Sequence, residues 1–289
     1  TGAHLVSVNG ATASGTSGSC TTQADGTCTV IATATHTGTF TLDASYAASN
    51  DSGQGTFTGS GSKSYVDYRV DVTPPTATNE VQVPHTFTVT LTRDTGSGYL
   101  PYAGQQLSLS LDPGTSDAHL TAINGTSASG TTGSCTTQAN GTCSVTIVAT
   151  TPGLARLTAT FGTTLASGPF TTSDTGDKQY SAFSLSASPI EAVNDLGQPH
   201  TFTVRLTRDD GTGATGLAGE TVNLSLSIGT TDGHFTSING SPASGTTGSC
   251  VTRADGTCAV TIVSSLPGTI VLTATWDKAL TDSTAHLTA

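Results

Sequence analysis

The sequence predicts an all-β protein of tandem immunoglobulin-like β-sandwich domains with a 115-residue repeat, and three observations carry that prediction. Residues 130–148, GTTGSCTTQANGTCSVTIV, recur as GTSGSCTTQADGTCTV at 15–30 and as GTTGSCVTRADGTCAV at 245–260, so Cys20, Cys135 and Cys250 stand 115 positions apart. That period is the length of a domain rather than of a solenoid motif. Between the cysteine stretches, short runs alternate apolar and Thr/Ser residues with a period of two, the signature of strands with one buried face. Composition agrees, because Thr, Ser and Gly dominate the polar positions, only 10% of residues are charged, and there is no Met.

The first 62 residues read as the second half of a repeat. His4-Leu5 recurs as His119-Leu120 and His234-Phe235, while nothing ahead of it matches the first half of the later copies. Half a sandwich exposes a sheet face and strand edges. Residues 1–60 are therefore expected to be completed by preceding sequence or by strands from another copy. In residues 39–46, Phe40, Leu42, Ala44 and Tyr46 share one face, and the later copies place Leu157, Ala159, Phe161 and Leu272, Ala274, Trp276 there. Tyr46, Phe161 and Trp276 are thus expected as core anchors between two sheets. Residues 47–64 are rich in Ser, Gly and Asn and are read as a short strand near 55–58 followed by a linker, copied at 163–179.

The second repeat, 63–177, opens with Val66, Tyr68, Val70 and Val72 alternating with polar residues, and Pro74-Pro75 ends that run. The third, 178–289, opens with Phe183, Leu185 and Ala187 and stops at Pro189. Phe87, Val89 and Leu91 define the next strand, copied by Phe202, Val204 and Leu206. A Gly-rich loop leads to Leu107, Leu109 and Leu111, copied by Val222, Leu224 and Leu226. A segment at 119–123 and strands after Cys143 and Gly153 complete seven or eight strands per repeat.

Pro84-His85-Thr86-Phe87-Thr88-Val89, Ala103-Gly104-Gln105-Gln106-Leu107, Gln138-Ala139-Asn140-Gly141-Thr142-Cys143 and Pro152-Gly153-Leu154-Ala155-Arg156-Leu157, in this order, resemble the bacterial immunoglobulin-like repeats of invasin/intimin type. The resemblance covers the whole chain through turn and core positions. It implies stacked sandwiches in a secreted or surface-attached bacterial protein, often a stalk extending an adhesive tip. The paired cysteines depart from the plainest form of that pattern.

Six cysteines in three identically spaced pairs, Cys20/Cys28, Cys135/Cys143 and Cys250/Cys258, are read as disulfides and hence as a mark of an extracellular or cell-surface location. The alternatives are reduced thiols or a zinc site, but zinc favours closer cysteine pairs and four convergent ligands. A net charge of −11 with nine Lys plus Arg argues against the basic patch that nucleic-acid binding needs, so no nucleic-acid partner is expected. No run approaches the roughly 20 apolar residues of a membrane helix, so no membrane insertion is expected.

Gly211-x-Gly213-x-x-Gly216 matches a dinucleotide fingerprint in letters only, since no helix pattern follows it. His85/His200, His119/His234 and Arg93-Asp94/Arg208-Asp209 recur once per repeat, which suits structural roles. No catalytic residue, metal ligand or cofactor is expected. Calcium at Asp112, Asp117, Asp174 or Asp177 lacks a dense acidic loop. Lys63 and Lys178 recur at the linker and are read as solvated charges rather than as buried lysines placed for an amide staple.

These readings lead to a structural protein, a stalk or filament associating with further repeats or copies. Two alternatives remain: an adhesin or carbohydrate-binding module with a glycan or surface ligand, and an accessory region of a secreted enzyme.

Overall fold

The computed structural model describes residues 1–51 and 53–289, and among them there is no helix. In the first 62 residues, β1 (His4–Val8), β2 (Ala11–Thr12) and β3 (Val30–Thr33) form a sheet in the order β2-β1-β3. Strands β4 (Gly38–Asn50) and β5 (Gly53–Tyr65) form a separate antiparallel hairpin. Large side chains on this hairpin are exposed, Leu42, Tyr46 and Phe57 among them. Tyr46 is 69% exposed, which corrects the expectation of a core anchor there: a period-two face is buried only where a second layer covers it.

The next unit has both layers. Its strands begin with β6 (Asp67–Thr73), β7 (Thr76–Glu80), β8 (His85–Asp94), β9 (Tyr99–Pro101) and β10 (Gln106–Asp112). They continue with β11 (His119–Ile123), β12 (Thr126–Ser127), β13 (Thr132–Thr136), β14 (Thr142–Val148), β15 (Gly153–Leu165) and β16 (Gly168–Ser188). One layer runs β12-β11-β14-β8-β6, with β9 beside β8; the facing layer runs β13-β10-β15-β16, with β7 beside β16. The alternating residues meet between them: Phe87, Val89, Leu91, Leu107, Val145, Ile147 and Leu157 are all fully buried. Phe161 closes one end, its ring 5.2 Å from that of Tyr68.

The last unit repeats this arrangement with β17 (His200–Asp209), β18 (Thr215–Gly216), β19 (Thr221–Ser227), β20 (His234–Ile238) and β21 (Ser241–Pro242). It ends with β22 (Thr247–Val251), β23 (Thr257–Val263), β24 (Val271–Ala279) and β25 (Thr284–Thr288). One layer takes the end of β16 and continues β17-β23-β20-β21, and the other runs β22-β19-β24-β25. Trp276, 1% exposed, fills the position of Phe161, and its indole N–H donates to Glu220 Oε2 at 3.2 Å.

Disulfides join Cys20 to Cys28, Cys135 to Cys143 and Cys250 to Cys258. In the two complete units each bond links the layers rather than merely closing a loop. Cys135 lies on β13 and Cys143 on β14, in opposite sheets, and both are core residues.

Candidate functional site

The feature that sets this chain apart from separate domains on a tether is the junction between its units, and it begins with β16. Residues 168–180 pair antiparallel with β15, residues 177–181 pair parallel with β7, and residues 182–188 pair antiparallel with β17. One strand thus serves both sandwiches, and at about 3.3 Å per residue its 21 residues reach roughly 70 Å. The stretch read from sequence as a short strand plus linker, 163–179, is a hairpin turn at 166–167 followed by unbroken strand, because from Gly168 onward its backbone finds ladder partners on β15 and, from Asp177, also on β7. The earlier copy, residues 47–64, behaves alike within β4 and β5, although Ser52 lies outside the described residues.

Where β16 crosses the junction it is sealed. Lys178, Tyr180 and Ser181 have no exposed surface. The Tyr180 hydroxyl donates to the Ile147 carbonyl at 3.0 Å, and the Ser181 hydroxyl donates to Asp210 Oδ1 at 2.7 Å. At the preceding junction the Tyr65 hydroxyl donates to the Ala32 carbonyl at 3.1 Å, the same contact displaced by one period. A second recurring contact lies beside it. A Cβ added to Gly96 would stand 2.7 Å from the Gly38 Cα, and one added to Gly211 would stand 2.7 Å from the Gly153 Cα. Gly211 has a φ of +99°, and Asp209 holds its turn by accepting the amides of Gly211 and Gly213. Of the glycines that mimic a dinucleotide fingerprint, Gly211 therefore makes a backbone-to-backbone contact between units, and Gly216 packs against the Asp255-Gly256 turn of its own unit.

The loop joining β24 to β25 also reaches back to the preceding unit. The Thr281 amide donates to the Thr78 carbonyl at 2.9 Å, and the Thr78 amide donates to Thr281 Oγ1 at 2.9 Å. This brings Asp282 against three buried polar side chains: Asn79, His85 and Lys178. Asp282 Oδ2 accepts from Asn79 Nδ2 at 2.7 Å and from His85 Nδ1 at 2.5 Å, and it stands 3.8 Å from Lys178 Nζ. The Asp282 amide donates to Asn79 Oδ1 at 3.1 Å. Lys178 Nζ is buried without a hydrogen-bond partner. Burial pushes the Lys178 ammonium down to about 8, against the pull of Asp282. Burial also lowers His85, against the pull of the Asp282 carboxylate, and the Lys178 charge adds to the lowering. Asp282 is held below the usual carboxylate range by donation from His85 and Asn79, which outweighs its own desolvation.

Lys178 is therefore not the solvated linker charge that the sequence suggested. Lys63, its copy, is exposed, and among the described residues β5 pairs only with β4. The cluster had a signal in the sequence, since Lys-x-Tyr recurs at 63–65 and 178–180, Asn79 as Asn194, and His85 as His200. Asp282 had none, because position 167 is Ser.

The aspartates considered for calcium are committed to protein donors. Asp174 accepts the Val72 amide, Asp177 pairs with Arg156, Asp117 accepts from Thr150 and Thr151, and Asp112 accepts the Gly114 amide. His119 and His234 contact the carbonyls of Asp117 and Asp232 through Nδ1, as the recurrence of these histidines implied.

No family model matches this chain, and no curated protein matches it. Among solved structures it is similar to the D0-D1 domain of intimin, at 17% identity over 77% of this chain and 96% of that one, with a TM-score of 0.25. It is also similar to invasin, a bacterial integrin-binding protein, at 19% identity over 77% of this chain and 38% of that one, with a TM-score of 0.26. A glycosyl hydrolase family 2 member from Bacteroides cellulosilyticus matches at 19% identity over 77% of this chain and 28% of that one, with a TM-score of 0.25.

Proposed function

We propose that this chain is part of an extracellular spacer, a stalk or filament of stacked sandwich repeats in which each linker strand closes one repeat and opens the next. The observation that carries this reading is β16, which hydrogen-bonds into both sandwiches while Lys178, Tyr180 and Ser181 are buried at the crossing. A tether built for free movement would leave its backbone in water. Here bending the junction would break ladder bonds and uncover a tyrosine.

Two further observations support it. The disulfides, each bridging two layers in the complete units, suit an oxidising compartment outside the cell. The last repeat carries an open groove of about 520 Å³ lined by Val193, His200, Phe202, Ile262, Leu266 and Ile270. Subtracting one period maps this lining onto the wall that Lys178 and Tyr180 cover in the middle repeat. The groove therefore suits a following Lys-x-Tyr strand, whether from the same polypeptide or from a second copy. The first 62 residues would be completed in the same manner from the other side.

The test is length. Chains with one, two and three successive copies of residues 63–177 would be measured by small-angle scattering. A spacer with fixed junctions adds an equal increment of maximum dimension per copy. Growth that falls off toward the square root of copy number, as for flexibly jointed units, would reject the proposal.

A further inference from the structure

The cluster at the junction holds more than hydrogen bonds. Lys178 and Asn79 lie on adjacent parallel strands, and the register pairs Ala77 with Lys178, which places Asn79 two residues along on the same face. Asn79 is presented as an electrophile: its carbonyl oxygen accepts the Asp282 amide, and its amide nitrogen sits 2.7 Å from the Asp282 carboxylate. Lys178 is presented as a nucleophile, fully buried, with an amino group that no hydrogen bond occupies. Asp282 Oδ2 is 3.8 Å from the amine and 2.7 Å from the leaving nitrogen.

We infer that Lys178 and Asn79 form an intramolecular amide bond, with Asp282 of the following repeat as the proton carrier. The Asp282 carboxylate takes a proton from the Lys178 ammonium. The freed Nζ electron pair attacks Asn79 Cγ, and the Asp282 N–H stabilises the charge that develops on Oδ1. The carboxyl then returns the proton to Nδ2 as the Cγ–Nδ2 bond breaks. One C–N bond forms and one breaks, ammonia leaves with the remaining proton as ammonium, and Asp282 ends as it began. No oxidant, metal or cofactor takes part. The Asp282 side chain is 37% exposed, which gives ammonia a way out. Burial depresses Lys178 to about 8, so free amine becomes available near neutral pH.

This geometry makes the bond conditional. Asn79 and Lys178 belong to one sandwich, but Asp282 arrives only when the next repeat docks. The staple fixes β7 to β16 and thereby records that docking has occurred. At the earlier junction the Asp282 position is Ser167, so the same reaction is not expected to depend on that loop.

Intact mass spectrometry of the purified, folded 289-residue chain reads the outcome directly. The expected result, beyond the hydrogens lost to three disulfides, is a deficit of about 17 Da, the mass of ammonia, with a crosslinked peptide pair containing Asn79 and Lys178. A chain of full mass after prolonged incubation at pH 8 overturns the inference. A deficit of about 18 Da with Lys178 joined to Asp282, loss of water rather than ammonia, overturns Asn79 as the acceptor. Lys178→Arg abolishes the deficit. Asp282→Asn, which retains hydrogen-bonding capacity at the loop, slows bond formation by at least tenfold; an unchanged rate removes Asp282 from the reaction. The readout is independent of whether the assembly is a spacer, which the scattering series tests separately.

Discussion

Tyr180 is the residue whose removal best distinguishes a shared strand from a tether. It lies on β16 with no exposed surface, and its hydroxyl donates to the Ile147 carbonyl. Replacing it with Phe deletes one buried hydrogen bond and leaves that carbonyl with less satisfaction, a loss of about 1 kcal/mol. Replacing it with Ala also removes the ring from a packed wall beside β7 and β15, and the cavity term raises the cost to about 3–5 kcal/mol. The protein supplies its own reporter for coupling, since Trp276 is its single tryptophan and lies in the last repeat. Urea unfolding followed by circular dichroism would report the whole chain, and Trp276 fluorescence would report the last repeat alone. Tyr180→Ala should lower the midpoint seen by both probes, with the larger effect on the circular dichroism. If the alanine variant lost less than about 1 kcal/mol, or left the fluorescence transition untouched, the two sandwiches would not share β16 energetically.

Further outcomes follow from other junction and core features. Gly211→Val places a β-branched residue at a positive φ and against the Gly153 backbone, so limited proteolysis should begin at 209–213 while the Trp276 environment persists. Removing the Cys135–Cys143 bond by paired serine substitution should cost about 2.5 kcal/mol in the chain-entropy treatment of so short a loop; no loss of stability would show that the bond adds nothing to the layer packing. Asp117 is held far below the usual carboxylate range by Thr150 and Thr151, and Asp232 by Ser265 and Ser264. Because the folded values are depressed, their stabilisation is present above about pH 4 and disappears as pH falls below it, so acid titration of the melting temperature should decline in that window and flatten in Asp117→Asn/Asp232→Asn. A synthetic peptide copying residues 176–184 should bind the groove beside Val193 and protect nearby amides from exchange, whereas a Tyr-to-Ala version should not.

The parts of the fold legible in the sequence are those where one physical signal dominates. Phe87, Val89 and Leu91 alternate with threonines, and all three are fully buried. β7 was not legible: it buries Ala77 and Asn79 on its inner face, so no apolar alternation marks it. The composition of residues 163–181, rich in Thr, Gly and Asp, resembles a linker, yet apart from the turn at 166–167 it forms ladders, with β15 along 168–180 and with β7 along 177–181. Composition reports the solvent preference of side chains and says little about where backbone hydrogen bonds go. Tyr46 shows the complementary case: its strand has the right pattern, yet the ring is 69% exposed, because alternation alone buries nothing. Lys178 escaped because a buried lysine is rare and its partner Asp282 lies 104 positions away in a loop that its sequence copy does not match.

The central claim, that adjacent repeats are joined by one strand belonging to both, is tested most directly by amide hydrogen exchange across residues 177–188 of the intact chain. Shared ladder bonding predicts that these amides are protected to the same degree as those of β14 and β23 and lose protection only when a sandwich unfolds. Exchange of 177–182 on the timescale of an open loop, with both sandwiches still protected, would contradict it.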